Sequence, residues 1–256
     1  MTTLTEPTAI VRENFLRDGY VALNGFLSPD EVAELRSELS RFVRDKVPAM
    51  PPSHVFYENK EDKSTLKQLQ RMFEFDAYFH TMMFGSRFEA AAEAVLAGPV
   101  AGKNLQYFNK PPGVGQPTPP HQDGYYFMLK PCEAVTMWLA LENVDEETGC
   151  VRYVRGSHER GMRPHGRTGT LGFSQGITDY GTSEDRADEV PMIAQPGDLL
   201  LHHAMTIHRA DGNRSTSRTR QAMGFIYYSA QAKEDTEAHA AYQKKLAEEM
   251  AAAGKI

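Results

Sequence analysis

From Pro99 to about residue 230 the chain runs as short apolar stretches separated by clusters of Gly, Pro, Asn and Asp, a pattern that only a sheet-rich fold satisfies. Residues 104–109 read as one strand. Val135, Met137, Leu139 and Leu141 alternate through AVTMWLALENV, which predicts a half-buried strand. Glu146-Glu147-Thr148-Gly149 is a turn, with Cys150–Val154 as the returning strand. Gln195-Pro196-Gly197-Asp198 is a second turn, feeding the apolar run Leu199–Leu201, and Gln221–Tyr228 is the last strong strand. Many short strands with frequent turn signals point to a β-barrel or jelly roll.

Helices come first. Ser28 is a good N-cap, Pro29 suits the first helical position and Glu31 completes a capping box. Val32, Leu35, Leu39 and Phe42 follow at helical spacing, so a helix with one buried stripe is predicted over 29–45. A shorter helix at 7–17, a strand at Tyr20–Leu23 and a helix at 86–97 ending at Gly98-Pro99 complete this half. Met72, Phe73, Phe75, Tyr78 and Phe79 read as a buried face. Residues 232–252, rich in Ala, Glu, Gln and Lys, predict a terminal helix. The architecture expected is mainly β with a helical cover (α+β), in one domain over 1–256.

Composition narrows the classes of function. Hydrophobic residues make up 41% and charged residues 24%, as in ordinary globular proteins. No apolar run approaches a membrane span, and MTTLTEPTAIVREN carries no basic-then-apolar leader, so a cytoplasmic protein with no membrane partner is expected. The net charge of −6 has no basic stripe to bind nucleic acid. Two cysteines, Cys132 and Cys150, are too few for a disulfide framework and are expected in or near the core. The segment 159–190 is long, polar and Gly-rich, as surface excursions over active sites often are. The arginines near it, at 152, 155, 160, 163 and 167, fit either an anionic substrate or a solvated basic loop.

The chemistry starts at Pro119-Pro120-His121-Gln122-Asp123-Gly124. In an extended strand, residues two apart share a face, so His121 and Asp123 can offer a nitrogen and a carboxylate oxygen to one ion. His208 is the best third ligand; His202 and His203 are alternatives, one of which would fall in the core or behind a ligand. Two histidines and one carboxylate form the facial triad of non-haem iron oxygenases, whose open positions suit a 2-oxo acid and O2. A His-x-acid pair alone means little, since roughly one is expected by chance in a chain with these counts. The ordered combination carries the weight. Its further member is an arginine, Arg218 or Arg220, entering the strand after His208, where a guanidinium can fork onto the far carboxylate of a diacid. Both could instead decorate an exposed strand start.

With Asn109-Lys110-Pro111-Pro112, His121-Gln122-Asp123, Trp138, Gly149-Cys150-Val151, Gly156-Ser157-His158, Pro196-Gly197-Asp198 and Gly212-Asn213-Arg214-Ser215, the chain resembles the phytanoyl-CoA dioxygenase family of 2-oxoglutarate-dependent oxygenases over roughly 15–228. The resemblance implies a double-stranded β-helix (jelly roll, cupin-like), Fe(II), 2-oxoglutarate as co-substrate, and hydroxylation of a small organic molecule with release of succinate and CO2. It implies His121, Asp123 and His208 as iron ligands and Arg220 as the 2-oxoglutarate arginine, with Arg218 a rival because one residue is inserted in the 214–220 turn. Gln106 and Trp138 fall where the family lines the co-substrate pocket. The family often has Gly-Ser after the distal histidine; here Arg209-Ala210 stand there, removing a hydrogen bond of about 1 kcal/mol. Related halogenases lack the carboxylate, so Asp123 favours hydroxylation. The alternatives are a cupin-like metalloenzyme that does not use 2-oxoglutarate, or a non-catalytic binding protein on the same fold.

Overall fold

A computed structural model describes residues 8–170, 173–241, 244 and 248. The N-terminal half contains α1 (Thr8–Asp18), β1 (Tyr20–Leu23), α2 (Pro29–Asp45), β2 (Val55–Tyr57), β3 (Leu66–Leu69), α3 (Ala77–Met83) and α4 (Arg87–Leu96). The capping box of α2 is formed: the Glu31 amide donates to Ser28 Oγ at 3.3 Å and the Ser28 amide to Glu31 Oε2 at 2.8 Å. Its stripe Val32, Leu35, Leu39 and Phe42 is buried, each large side chain contributing about 1.5–3 kcal/mol.

The rest comprises β4 (Val100–Lys110), β5 (Thr118–His121), α5 (Gly124–Phe127), β6 (Leu129–Lys130), β7 (Ala134–Ala140), β8 (Val151–Val154), β9 (His165–Thr170), β10 (Phe173–Ile177), α6 (Ser183–Asp188), β11 (Glu189–Pro191), β12 (Leu199–His203), β13 (His208–Ala210), β14 (Arg220–Ser229) and β15 (Lys233–Glu234). A seven-stranded antiparallel sheet has the order β1-β12-β7-β14-β4-β3-β2, and a four-stranded one the order β11-β8-β13-β5. Together they make the jelly roll.

Strand parity sorts the side chains of the large sheet. Val135, Met137, Leu139, Leu199, Leu201, Met223, Phe225 and Tyr227 pack with the helices, and Phe225 stacks on Phe88 of α4 at 4.1 Å. Their neighbours Trp138, Ala140, Leu200 and Ala222 point the other way and pack with Val151 and Tyr153 of the small sheet. β7 is therefore buried along its whole length, not half-buried as its alternation predicted. The alternation separates two buried environments, an apolar core and the space between the sheets, so it does not report on solvent.

Two other segments carry structure that the sequence pattern did not specify. The 159–190 excursion is structured, holding the β9–β10 hairpin and α6. Residues 233–234 pair with β6 as a strand and 236–241 are helical; much of the expected terminal helix lies outside the described residues. Cys150 is buried and Cys132 partly so, as expected. No helix among the described residues is long and apolar enough to cross a membrane.

The 195–198 turn ties the layers together. Gly197 sits at φ +95°, and a Cβ there would lie 2.3 Å from the Leu27 carbonyl oxygen. Asp198 accepts from the Gly25 amide and the Gln195 amide, both at 2.7 Å, which fixes the loop between β1 and α2. We expect Gly197→Ala to destabilise the protein by about 1–3 kcal/mol, read as a lower denaturant midpoint with an unchanged slope; an unshifted midpoint would contradict this packing. A second expectation concerns His203, which ends β12 against the Phe15 and His158 rings. Burial, helped by His158 and His202, pushes its imidazole down to about 4. The unfolded chain takes up this proton near pH 6.5, the folded chain only near 4, so stability falls as pH drops through that window. His203→Gln should flatten the pH dependence of the denaturant midpoint between about 6.5 and 5; an unchanged slope there would count against the assignment.

Candidate active site

β5 and β13 lie side by side with His121 directly opposite His208. β5 ends at His121, and the chain turns at Asp123 (φ −58°, ψ −34°) into α5. The two side chains thus meet across a turn and not along one strand face as the spacing implied. The result is the same grouping: one ligand atom from each of His121, Asp123 and His208 lies within 4.8 Å of the others. Asp123 Oδ1 is 3.5 Å from His121 Nε2 and 3.7 Å from His208 Nε2, and the two rings are 4.1 Å apart.

Hydrogen bonds fix which atoms are presented. His121 Nδ1 is 2.8 Å from the Pro119 carbonyl and His208 Nδ1 is 3.0 Å from the Thr206 carbonyl. A carbonyl only accepts, so each Nδ1 carries the proton and each Nε2 keeps its lone pair for an ion. Asp123 is divided likewise. Its Oδ2 accepts from Thr136 Oγ1 at 2.5 Å and from His202 Nε2 at 3.1 Å, while Oδ1 faces the two imidazoles. His202 accepts in turn at Nδ1 from the Tyr153 hydroxyl at 3.0 Å. Burial alone would raise the Asp123 carboxyl; the neighbouring His208, His121 and His202 outweigh it and hold it well below the usual carboxylate range. Burial, then His121 and His202, pushes His208 well below the ordinary histidine value. The site offers one carboxylate oxygen and two imidazole Nε2 atoms, a donor set that fits Fe(II).

A second group lies farther along the same face of the large sheet. On β7, Thr136 braces Asp123 and Trp138 stands two residues on, roughly 7 Å along the strand. The Arg220 guanidinium sits over the Trp138 ring at 5.2 Å. Arg220 is buried and its Nε has no hydrogen-bond partner; burial pushes it down to about 10. A buried guanidinium with an unmet donor is a cradle for a carboxylate. Gln106 lies on this face, opposite Gly224, and accepts from Gln68 Nε2 at 2.9 Å. Gly224 keeps the space open: a Cβ there would lie 2.7 Å from the Phe108 ring.

Arg218 is not part of this group. It is partly exposed and pairs with Asp145 at 2.8 Å and with Glu147. The turn before β14 decides this. The Asn213 amide donates to the Lys110 and Arg218 carbonyls, and Ser215 Oγ accepts from the Arg218 amide, so the strand first points inward at Arg220. Asn213 itself is buried. His202 braces the carboxylate, and His203 packs away from it against Phe15.

The segment over the site is tied to the ligand strand. Gln122, fully buried between two of the ligands, donates its amide N–H to His165 Nε2 at 3.1 Å and its side chain to the Gly161 and Met205 carbonyls. Tyr125 stacks on His165 at 4.3 Å, and the Tyr126 hydroxyl donates to the Gln175 carbonyl at 2.6 Å. Three of the nearby arginines are paired with carboxylates. Arg152 pairs with Asp211, Glu189 and Glu146, Arg160 with Asp188 and Glu184, and Arg163 with Asp179 and Asp185. The sequence reading missed Thr136 as a brace of Asp123; its parity with Trp138 in AVTMWLA was the available signal.

Known proteins resemble this chain. The description Phytanoyl-CoA dioxygenase (PhyH) matches residues 15–222. Peroxisomal phytanoyl-CoA dioxygenase of Mus musculus is 25% identical over 235 residues, covering 86% of this chain and 68% of that protein. A probable alpha-ketoglutarate-dependent hypophosphite dioxygenase of Stutzerimonas stutzeri is 24% identical over 216 residues, covering 82% of this chain and 74% of the other. Among solved structures, the non-heme alpha ketoglutarate-dependent epimerase SnoN from nogalamycin biosynthesis superposes with a TM-score of 0.70 at 25% identity, over 89% of this chain and 85% of that one. EctD from S. alaskensis, solved with 2-oxoglutarate and 5-hydroxyectoine, gives a TM-score of 0.73 at 17% identity, over 91% and 81% of the two chains, a likeness of fold. The matched span covers most of the sequence and includes all three residues of the buried His-Asp-His group, and on that ground the chain belongs to the phytanoyl-CoA dioxygenase family.

Proposed function

We propose that this protein is an Fe(II)- and 2-oxoglutarate-dependent dioxygenase that hydroxylates a C–H bond of a small organic molecule. His121, Asp123 and His208 would hold the iron, and Arg220 would bind the distal carboxylate of 2-oxoglutarate beside Trp138 and Gln106. The observation that carries this is the shared orientation of three donors: two Nε2 atoms with protonated Nδ1 partners and one carboxylate oxygen, all turned toward one point. When bound, the iron supplies the redox chemistry that couples decarboxylation of the 2-oxo acid to oxidation of the substrate.

The chain's own residues do the rest. Thr136 and His202 hold Asp123 so that one oxygen is presented and the other occupied. The Pro119 and Thr206 carbonyls fix both imidazole tautomers. Arg220 orients a diacid from its far end, and the fully buried Tyr153 and the Trp138 wall exclude water. The β9–β10 hairpin, fastened through His165 and Gln175, covers the ligand strand and shapes the space for a substrate.

Mixing the apo-protein anaerobically with Fe(II) and 2-oxoglutarate should produce the visible metal-to-ligand charge-transfer band. His121→Ala should abolish it, and Arg220→Ala should raise the 2-oxoglutarate needed by about one to two orders of magnitude, as loss of a buried charge-assisted pair implies. Bound iron with no band would refute the 2-oxoglutarate assignment and favour a metalloenzyme that uses no 2-oxo acid. His202→Ala and Thr136→Val should each weaken Fe(II) binding by about 10–100-fold, measured by metal titration. Wild-type affinity in both would remove the role given to the Asp123 braces.

A further inference from the structure

Lys110, last residue of β4, stands directly opposite Arg220, first residue of β14, so the two side chains leave the same face of the large sheet. Both are buried, at 4% and 5% exposure. Two like charges opposite each other on a buried face oppose folding unless an anion lies near them. Neither forms an ion pair with a carboxylate among the described residues. The carboxylates closest to Lys110 are committed elsewhere: Asp211 to Arg152 and Arg209, Glu58 to Lys67. Lys110 Nζ donates to the Asp211 backbone carbonyl, and Arg220 Nε has no partner. Asp211 directly follows Ala210, the residue that stands where a hydroxyl donor would otherwise reach the co-substrate. The Lys110 ammonium is therefore held beside the residue next to the position where that donor is missing. Burial, then the neighbouring guanidinium, holds it well below the usual lysine range, so an anion placed between the two cations would favour its charged form.

We infer that Lys110 is a second cationic anchor for the distal carboxylate of the 2-oxo diacid, acting with Arg220 in place of a hydroxyl donor. The inference rests on the co-substrate reading above and adds to it a residue and a selectivity: the pocket end is built for a dianion, and a 2-oxo monoacid of similar length would gain nothing from Lys110.

The single tryptophan, Trp138, lies under Arg220 and supplies the readout. Its fluorescence is followed in the Fe(II)-loaded protein without oxygen as 2-oxoglutarate or 2-oxovalerate is added. Lys110→Met should weaken 2-oxoglutarate binding by about tenfold or more, the scale of one lost charge-assisted contact, and leave 2-oxovalerate binding unchanged. Lys110→Gln, which keeps a donor for the Asp211 carbonyl, should show the same selective loss if Lys110→Met fails to fold. Lys110→Arg should recover most of the affinity. Equal weakening for both acids would mean that Lys110 merely braces the 211 loop, and the inference would fall. Unchanged 2-oxoglutarate affinity in both neutral variants, with Arg220→Ala still impaired, would overturn Lys110 alone. A wild-type protein that binds 2-oxovalerate and 2-oxoglutarate equally would overturn the anchor, and one that binds neither would overturn the co-substrate reading itself.

Discussion

The division of labour within one carboxylate underlies the site. Asp123 Oδ2 is held by Thr136 from the large sheet and by His202 from the neighbouring strand, and only Oδ1 turns toward His121 and His208. A free carboxylate would rotate and present either oxygen. Held this way, it contributes one charge at one point. Burial, then His121 and His202, holds the His208 imidazole well below the ordinary histidine value, and the orientation of both ligand-candidate imidazoles follows from two backbone carbonyls. Three kinds of constraint, each local, yield a single donor geometry.

That geometry depends on the sandwich. The small sheet supplies two of the three metal-ligand candidates and the large sheet supplies Thr136, His202, Trp138 and Arg220. Helices α1–α4 pack against the far face of the large sheet, away from the site. They make one face of that sheet an apolar core, so the opposite face can carry polar groups without costing the fold its stability. The parity of β7 shows the arrangement in seven residues: Val135, Met137 and Leu139 anchor the layer, while Thr136 and Trp138 serve the site.

Much of this was legible in the sequence, for reasons that can be traced residue by residue. The 29–45 helix declared itself through its cap and stripe, which are local. The triad declared itself through residue types and order, although the turn at Asp123 replaced the expected strand face. The choice between Arg218 and Arg220 was not legible, because it depends on how Asn213 and Ser215 fold the turn before β14 and hence on which residue begins the strand. The Asp123 braces were equally hidden. His202 lies 79 residues from Asp123 in sequence, and only the pairing of β12 with β7 brings it there. The basic segment at 152–167 was open to two readings, and the carboxylate partners that neutralise Arg152, Arg160 and Arg163 lie too far away in sequence to be paired with them by inspection.

Gln122 links two things that might have been independent. It lies between two metal-ligand candidates, and it bonds to the loop before His208, to the start of the covering segment and to His165. The position of the cover and the spacing of the donors are therefore one mechanical quantity. A lineage that changed its substrate by moving the base of this hairpin would strain its own donor geometry. Variation is free only in the stretch between the His165 and Gln175 anchors, and that is where the diversity of such a scaffold would accumulate.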